Sequence, residues 1–524
     1  MSRARRAAWL AGFALVFFLS FPHPIGGRVL DLGLFASWLA PALLLLGLRG
    51  LAPRPAAGAA FAAGLAAHAA LYHWIYVATV SYGHAPTPVG VGAAIALALY
   101  PAAFFAAFGA GASALRRTRL ASPFALAALW LALEHARTVF ATGFPWGLLG
   151  YAQHDNTALL AWAPLAGVWA PGFAVALGSA ALAALWEART SGRGARGALL
   201  AIASVAAAIG AGALDLARDG AQPAETVRVA VLQGNVDQDV KWSPEWAERT
   251  LAGYEALSRR AGEAGAAVIV WPETAVPGSP DHDAVLADRL AALARETNAA
   301  LVVGAVGVEP VREGGVRYYD SAFVVSPDGV FADRYDKTHL VPFGEYVPFR
   351  DFLGRFVSAI ARGAATTDVS PGAVPRALAI PLPDGSALTA GVPICYELLF
   401  PDGVRRFTKD GAELLLAITN DAWYGRTGAP YQFLVMTAMR SAENRVWTAR
   451  AANTGVSAMI DDRGRVRMQT DLFVQDLLVA DIPRRPAPVG GSFYARHGDW
   501  LPGACWIALG GLAIAARWRR GARA

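Results

Sequence analysis

In "ALTAGVPICYELLFPD", Ala387–Asp402, an apolar run breaks at a corner, and one of only two cysteines in 524 residues stands at the break. The run reads as a buried strand and "YELLFPD" as the entry to a short helix. Cys395 therefore occupies a strand-to-helix turn, where side chains from separate strands can converge. A lone cysteine there is either a small core hydrophobe or a nucleophile, and its surroundings decide between the two.

Outward from this corner the same alternation repeats. "TVRVAVLQGNV", "AAVIVWPET", "ALVVGAVGV" and "VRYYDSAFVVSPDGV" read as strands, the last entering a hairpin at Pro327-Asp328-Gly329. "PEWAERTLAGYEALSRRAGEAG" and "DHDAVLADRLAALARETNA" have helical periodicity. After the cysteine come the strand "ELLLAITND", a helix near 431–449 and the strand pair "GVSAMIDDRGRVRMQ". Buried strands alternating with helices indicate a layered α/β domain.

The rest of the chain is different in kind. Hydrophobic residues make up 55% of the sequence and charged residues 16%, too apolar for a soluble protein of this length. The excess fills residues 7–214 and a final stretch, 500–516. A bilayer span needs about 20 mainly apolar residues, and eight stretches qualify: 7–24, 29–48, 57–82, 88–115, 123–141, 160–186, 198–214 and 500–516. The first follows Arg3, Arg5 and Arg6 but lacks a small-residue cleavage site, so it reads as an uncleaved anchor. Arginines alternate from side to side. Arg49, Arg54, Arg116, Arg117, Arg119, Arg189, Arg193, Arg196 and the tail arginines fall on one side, against little beyond Arg28 and Arg137 on the other. The positive-inside rule then puts both termini in the cytoplasm and residues 219–490 outside. The expected division is a seven-span membrane domain at 1–218, an external domain at 219–490, and a last span with its tail at 491–524. The net charge of +6 is mostly this topological signal and implies no nucleic-acid partner. Cys505 lies in the last span, so Cys395 is expected as a free thiol.

Three positions in the outer domain suit chemistry. Glu273 ends the strand in "VIVWPET", Lys337 lies in "DKTHLVPFGEYVPF", and Cys395 ends "GVPIC". The chain has three lysines against 43 arginines, so a lysine retained here stands out. Its compact ammonium can donate to a small oxyanion without arginine's broad fork.

The series "WPET … DKTHLVPFGEYVP … GVPICYE … NDAWYG" resembles the nitrilase, or carbon–nitrogen hydrolase, superfamily over about residues 226–487. The resemblance implies a four-layer αββα sandwich with a Glu-Lys-Cys triad. Cys395 would be the nucleophile, Glu273 the general base and Lys337 the oxyanion donor, with Glu345 and Glu397 as supporting acids. With the spans and "TGFPWGLLGYAQ", the whole chain looks like the apolipoprotein N-acyltransferase family. That resemblance implies a bacterial inner-membrane enzyme with a periplasmic catalytic domain. It would move an acyl chain from a phospholipid, typically the sn-1 chain of phosphatidylethanolamine, through a cysteine thioester to the amine of a diacylated apolipoprotein. Trp242 and Tyr396 match positions lining the lipid cleft. His339 would support the site, and Arg440, Glu443 and Arg445 form a structural ion-pair set. No cofactor is implied, and no Cys/His cluster has metal-ligand spacing. The sequence leaves open a membrane-tethered amidase and a transporter or scaffold with an inactive domain. Buried charges in the spans are few, chiefly Glu134 and Arg137, which does not favour a transport path.

Overall fold

The computed structural model describes residues 1–118, 120–191, 195–218, 225–237, 244–311, 315–348, 368–484 and 490–521. Its two parts follow from the two kinds of sequence. Where the chain is apolar on all sides, helices form, because a bilayer leaves backbone polar groups no partner but each other. Among the described residues, five helices are long and apolar enough to cross a membrane: Thr87–Arg117, Pro123–Thr142, Trp169–Arg189, Ala195–Ala217 and Trp500–Arg519. Arg3–Phe18, Gly33–Gly47 and Pro53–Leu71 pack among them.

Three expected spans are interrupted. The chain between the first two helices forms a small antiparallel ribbon, β1 (His23–Ile25) and β2 (Arg28–Leu30). The stretch 57–82 breaks after the Pro53–Leu71 helix and resumes as a π-helical turn, Val77–Tyr82. The stretch 160–186 begins as two short helices, Thr157–Leu160 and Ala163–Ala166, before Trp169–Ser191. The break falls at Gly167, whose φ is +64°, and a Cβ there would meet the Tyr494 ring at 2.7 Å. Only glycine fits both constraints.

"TGFPWGLLGYAQ" (Thr142–Gln153) is largely irregular backbone beside these helices, so its polar groups need partners. Arg137 donates to the carbonyls of Trp146 (2.8 Å) and Gly147 (3.2 Å). Glu134 Oε1 accepts from the Leu149 N–H at 2.8 Å. The two buried charges noted in the sequence thus hold a loop and line no path.

In the α/β part of the chain the strands alternate in two directions at once. Along β3 (Thr226–Gln233), Val229 and Val231 face a second sheet, while Ala230 and Leu232 face helices. Burial on both faces is what near-continuous apolar strands require. β4 (Val268–Val270), β5 (Ala300–Pro310), β6 (Val316–Val325) and β7 (Phe331–Asp336) extend this sheet, which β14 (Asp476–Pro483) closes in the order β14-β3-β4-β5-β6-β7. The second sheet uses β8 (Leu378–Pro381), β9 (Ala387–Gly391), β10 (Leu414–Thr419), β11 (Trp447–Ala452), β12 (Ala458–Ile460) and β13 (Val466–Gln469), in the order β13-β12-β11-β10-β9-β8. Each sheet has a parallel centre, β3-β4-β5 and β9-β10-β11, which sends strand ends of like sense to one edge. The Pro244–Glu263 and Ala284–Thr297 helices cover the first sheet, and Pro401–Lys409 and Ala429–Asn444 lie against the second. The result is the expected four-layer αββα sandwich.

The Ala429–Asn444 helix is also where the two parts of the chain meet. Trp146 Nε1 donates to Gln432 Oε1 at 2.7 Å, and Gln432 Nε2 donates to the Pro22 carbonyl at 3.0 Å. The Val168 N–H donates to Glu443 Oε1 at 2.7 Å. Arg440 and Glu443 pair at 2.9 Å with both side chains fully buried. Arg445 does not join them. It caps the helix in a left-handed conformation (φ +57°) and reaches Asp215 at 3.4 Å.

Candidate active site

Glu273, Lys337 and Cys395 stand at strand ends on the shared edge of the two sheets. Three residues after β4, Glu273 is brought against β5 because residue 304 is glycine. A Cβ there would meet the Pro272 carbonyl oxygen at 2.2 Å and the Glu273 Cα at 2.7 Å. Lys337 follows β7 directly, and its N–H donates to the Asp320 carbonyl at 2.9 Å, so the β6–β7 pairing fixes where its side chain starts. Cys395 opens a 3-10 turn, Cys395–Leu399, with φ +47°. A non-glycine residue in that region stores strain of about 1–3 kcal/mol, which the surroundings must hold.

Glu397 supplies that hold. Its Oε2 accepts from the Ile394 N–H at 2.8 Å, closing the turn on itself. Its Oε1 accepts from the Tyr335 hydroxyl (2.7 Å), the Thr338 N–H (2.8 Å) and the Thr338 hydroxyl (2.6 Å). One carboxylate thereby ties the cysteine turn to the strand end that carries Lys337.

The ammonium of Lys337 is fully buried among three acids, Glu273 Oε1 at 2.9 Å, Asp320 Oδ2 at 3.1 Å and Glu345 Oε1 at 2.5 Å. Glu345 Oε2 also accepts from the Val341 N–H at 2.8 Å. Glu273 Oε2 accepts from the Asn420 N–H at 2.7 Å, and the Glu273 charge bears on the Cys395 thiol. "NDAWYG" thus contributes a backbone donor, and the neighbouring Asp421 is locked by Arg450 at 2.8 Å.

These contacts set the protonation states. Burial opposes the Lys337 charge, but Glu273, Glu345 and Asp320 outweigh it and raise its pKa well above the ordinary lysine value. Burial pushes Glu273 up, yet the Lys337 charge and hydrogen bonds from Asp320, Lys337 and Cys395 hold it below the usual carboxylate range. Burial and the Glu273 charge push the Cys395 thiol well up, while Lys337 pulls it down. These directions leave a neutral thiol beside an ionised carboxylate, so a nucleophile at this position would have to give up its proton as it reacts.

The sequence reading passed over Asp320. It lies in mid-strand in "RYYDSAFVV", where an aspartate is out of character with its buried neighbours Ser321, Ala322 and Phe323. That mismatch was the available signal. Tyr396 is buried with its ring 5.1 Å from Phe400 and 5.6 Å from His339, and His339 stacks on Phe400 at 3.7 Å. Burial and the Lys337 charge lower His339 to about 4, so it is neutral near pH 7. Trp242 lies outside the described residues, as does the apolar segment beyond residue 348.

A cavity of about 320 Å³ is lined by Thr338, the residue after Lys337, and by His339, Leu340, Tyr346, Val369 and Pro371, with Thr142 of the membrane-helix part. Val139, Phe140 and Phe343 are well exposed among the residues flanking these lining positions. A cavity of about 340 Å³ at Arg228, Arg484 and Asp384 contains none of the triad. Among the described residues two groups have the donors for a cation: Asp31, His154 and Asp155, and Glu273, Asp320 and Glu345. In the second the Lys337 ammonium already holds the central position. In the first, His154 Nε2 faces Asp31 at 3.2 Å. Both cysteines are unpaired.

Comparison with known proteins places this geometry. The carbon-nitrogen hydrolase family matches residues 228–486, the span of the sandwich. The apolipoprotein N-acyltransferase N-terminal domain matches residues 4–181. The apolipoprotein N-acyltransferase of Geobacter metallireducens is 38% identical over 97% of this chain and 94% of its own. That of Pseudomonas putida is 37% identical over 85% of each chain. An amidase from Nesterenkonia sp. superposes with a TM-score of 0.38 at 21% identity, over 53% of this chain and 96% of its own. A nitrilase-like sandwich, its strand-end cysteine and the apolar N-terminal helices thus share one chain, as in relatives aligned along nearly the full length, and the protein belongs to the apolipoprotein N-acyltransferase family.

Proposed function

We propose that this chain is an acyltransferase that moves an acyl group from a phospholipid to the N-terminal amine of an S-diacylglyceryl-cysteine lipoprotein. The observation that carries the reading is the convergence of the Cys395 thiol, the Glu273 carboxylate and the Lys337 ammonium in one buried cluster. The residues directly after Lys337, Thr338 to Leu340, line a cavity near which exposed apolar side chains lie in sequence.

The reaction proceeds in two halves. As Cys395 Sγ attacks the ester carbonyl, its proton passes to Glu273, and Lys337 donates to the oxyanion. Collapse breaks the ester bond, and the departing alkoxide takes the proton from Glu273, leaving a thioester and a lysophospholipid. The acceptor amine then attacks the thioester, Glu273 takes its proton, and the thiolate leaves and recovers a proton. One oxyanion donor is worth roughly 10²–10³ in rate. Glu345 holds Lys337, Glu397 holds the cysteine turn, and Tyr396 and Trp242 line the lipid cleft. Phosphatidylethanolamine is the proposed donor.

The arginine alternation supports eight spans, with domains at 1–218, 219–490 and 491–524. It also supports cytoplasmic termini and a catalytic domain on the periplasmic side. A reporter fused after Arg218 is expected to be active only outside, and one after Arg193 only in the cytoplasm.

The test of the chemistry is mass spectrometry of the purified protein after incubation with phosphatidylethanolamine alone. One acyl group should be gained, be released by neutral hydroxylamine, and discharge onto a diacylglyceryl-cysteine peptide. Cys395→Ala should gain none, and Cys505→Ala should load normally. Rapid release of free fatty acid without acceptor would favour a hydrolase instead, and loading that survives in Cys395→Ala would overturn the mechanism.

A further inference from the structure

Three carboxyl groups, those of Glu273, Asp320 and Glu345, lie within 4.8 Å of one another around a single ammonium. If all three were ionised, two negative charges would stand uncompensated in a buried site, at a cost no nearby group offsets. The hydrogen-bond pattern shows which acid is different. Glu345 accepts a backbone N–H as well as the ammonium, and Glu273 accepts from Asn420 and Lys337. Asp320 receives only Lys337, on Oδ2, and its buried Oδ1 finds no donor among the described residues. Its carboxyl group nevertheless stands within 4.8 Å of that of Glu273. Two buried carboxyl groups that close disfavour carrying two charges, and a proton on one of them removes the repulsion.

We propose that Asp320 is a positioning residue that holds this proton: its neutral carboxyl donates to the Glu273 carboxylate and halves the surplus negative charge facing Cys395. Burial pushes Asp320 well above the usual carboxylate range. Lys337 pulls it down, and the charges of Glu273 and Glu345 add to the rise.

The role follows from charge. An ionised Asp320 would compete with the reacting oxyanion for Lys337. It would also raise the thiol further by repulsion, so loading of Cys395 should fail on the alkaline side as Asp320 loses its proton. Glu273, Lys337 and Glu345 face Asp320 directly, and Cys395 and Tyr335 with Glu397 lie beyond Lys337. Asp421, paired to Arg450, lies beyond the thiol. On the opposite face of β6, Ser321 contacts Asp336, which pairs with Arg334 and through it Asp281. These outward groups are already matched with partners.

The inference rests on the triad reading and leaves the identity of the substrate aside, so its main test uses no substrate. Infrared spectra of the full chain carrying isotope-labelled aspartate side chains should show a protonated aspartyl C=O band at neutral pH, absent from Asp320→Asn. The labelling separates it from Glu345 and Glu443. In the second arm, the pH profile of acyl loading from phosphatidylethanolamine is recorded for wild type and Asp320→Asn. The alkaline limit should move up by about one pH unit or more in the variant. A labelled wild-type chain with only ionised aspartates at neutral pH overturns the proposal, and that arm stands even if the variant fails to fold. Superimposable loading profiles overturn it as well. A chain with the protonated band that loads no phospholipid would sink the function proposed above and leave this inference intact.

Discussion

Lys337 and Arg440 are both fully buried cations of the α/β sandwich, and they are partnered in opposite ways. Lys337 meets three carboxyl groups and, through Glu273, the thiol of Cys395. Arg440 meets one carboxylate, Glu443, and the phenol of Tyr151 at 3.1 Å. A cation buried only for packing is served by one acid, since each further charge adds desolvation cost. The surplus of acid around Lys337 therefore goes beyond what packing a cation requires, and it fits the proton transfer proposed for this cluster. The one-to-one pair is a clamp, because Glu443 also takes the Val168 N–H from the membrane-helix part and Tyr151 belongs to the same irregular loop.

If the comparison is right, breaking the first cluster should cost activity and spare the fold. Lys337→Arg keeps the charge but puts a wide fork into a space three acids already fill. Acyl loading should fall by about 10²-fold or more, while the melting temperature in detergent moves little. Lys409→Arg, at an exposed helix end, is the control and should load like wild type. Near-normal loading in Lys337→Arg would remove Lys337 from the mechanism.

Gly304→Ala probes the same cluster through the backbone. The new methyl group would press on the Pro272 carbonyl and the Glu273 Cα, so Glu273 must shift relative to Lys337 and Cys395. A displacement near 1 Å is worth about 10²-fold in rate. Loading should drop by about 10–100-fold while donor binding is retained. An unchanged loading rate would show that β5 does not set the position of the base.

Breaking the second cluster should do the reverse. Arg440→Met leaves Glu443 buried without its cation, a change that costs roughly 3–5 kcal/mol. Burial already raises Glu443 to about 7 against the pull of Arg440, so it can take up a proton and hold the cost to the lower end. The melting temperature should fall by on the order of 10 °C, with loading per folded molecule unchanged at permissive temperature. Lost loading in a fully folded variant would mean that the clamp also shapes the site.

The two clusters were unequally legible in the sequence. Glu273, Lys337 and Cys395 each end a strand within a distinctive motif, so their positions could be read without knowing how they meet. Asp320 sits inside a strand, where only a mismatch with its neighbours marks it. Its role depends on three acids converging from three segments, which no spacing encodes. The sequence groups Arg445 with Arg440 and Glu443 as one ion-pair set. Yet the left-handed turn at residue 445 swings it off the helix toward Asp215, a cap conformation that charge patterning does not reveal. The layers of the sandwich followed from strands apolar on both faces. In the membrane-helix part, hydropathy located the apolar stretches but not their breaks. The breaks are set by close packing, as of Tyr494 against Gly167, rather than by polarity.

The smallest expected effect separates the clusters by pH. Burial raises Glu443 above the ordinary 4.5 to about 7, with Arg440 and the Val168 N–H pulling it down. Between those two values the folded protein holds a proton that the unfolded chain has released. A carboxyl raised in this way contributes stability that is fully present below about pH 4.5 and lost as pH rises through about 7. The sign is opposite to that of a carboxylate held low by a salt bridge. Glu443→Gln removes the titration and keeps an oxygen for the Val168 N–H. Plotted against pH over that window, its melting temperature should fall less steeply than that of wild type. The difference between the two curves isolates Glu443 from every other titrating group the proteins share. Parallel curves would mean that Glu443 stays ionised in the folded protein, fully matched by Arg440. The clamp would then be an ordinary ion pair, and the contrast with the proton-sharing acids around Lys337 would be sharper still.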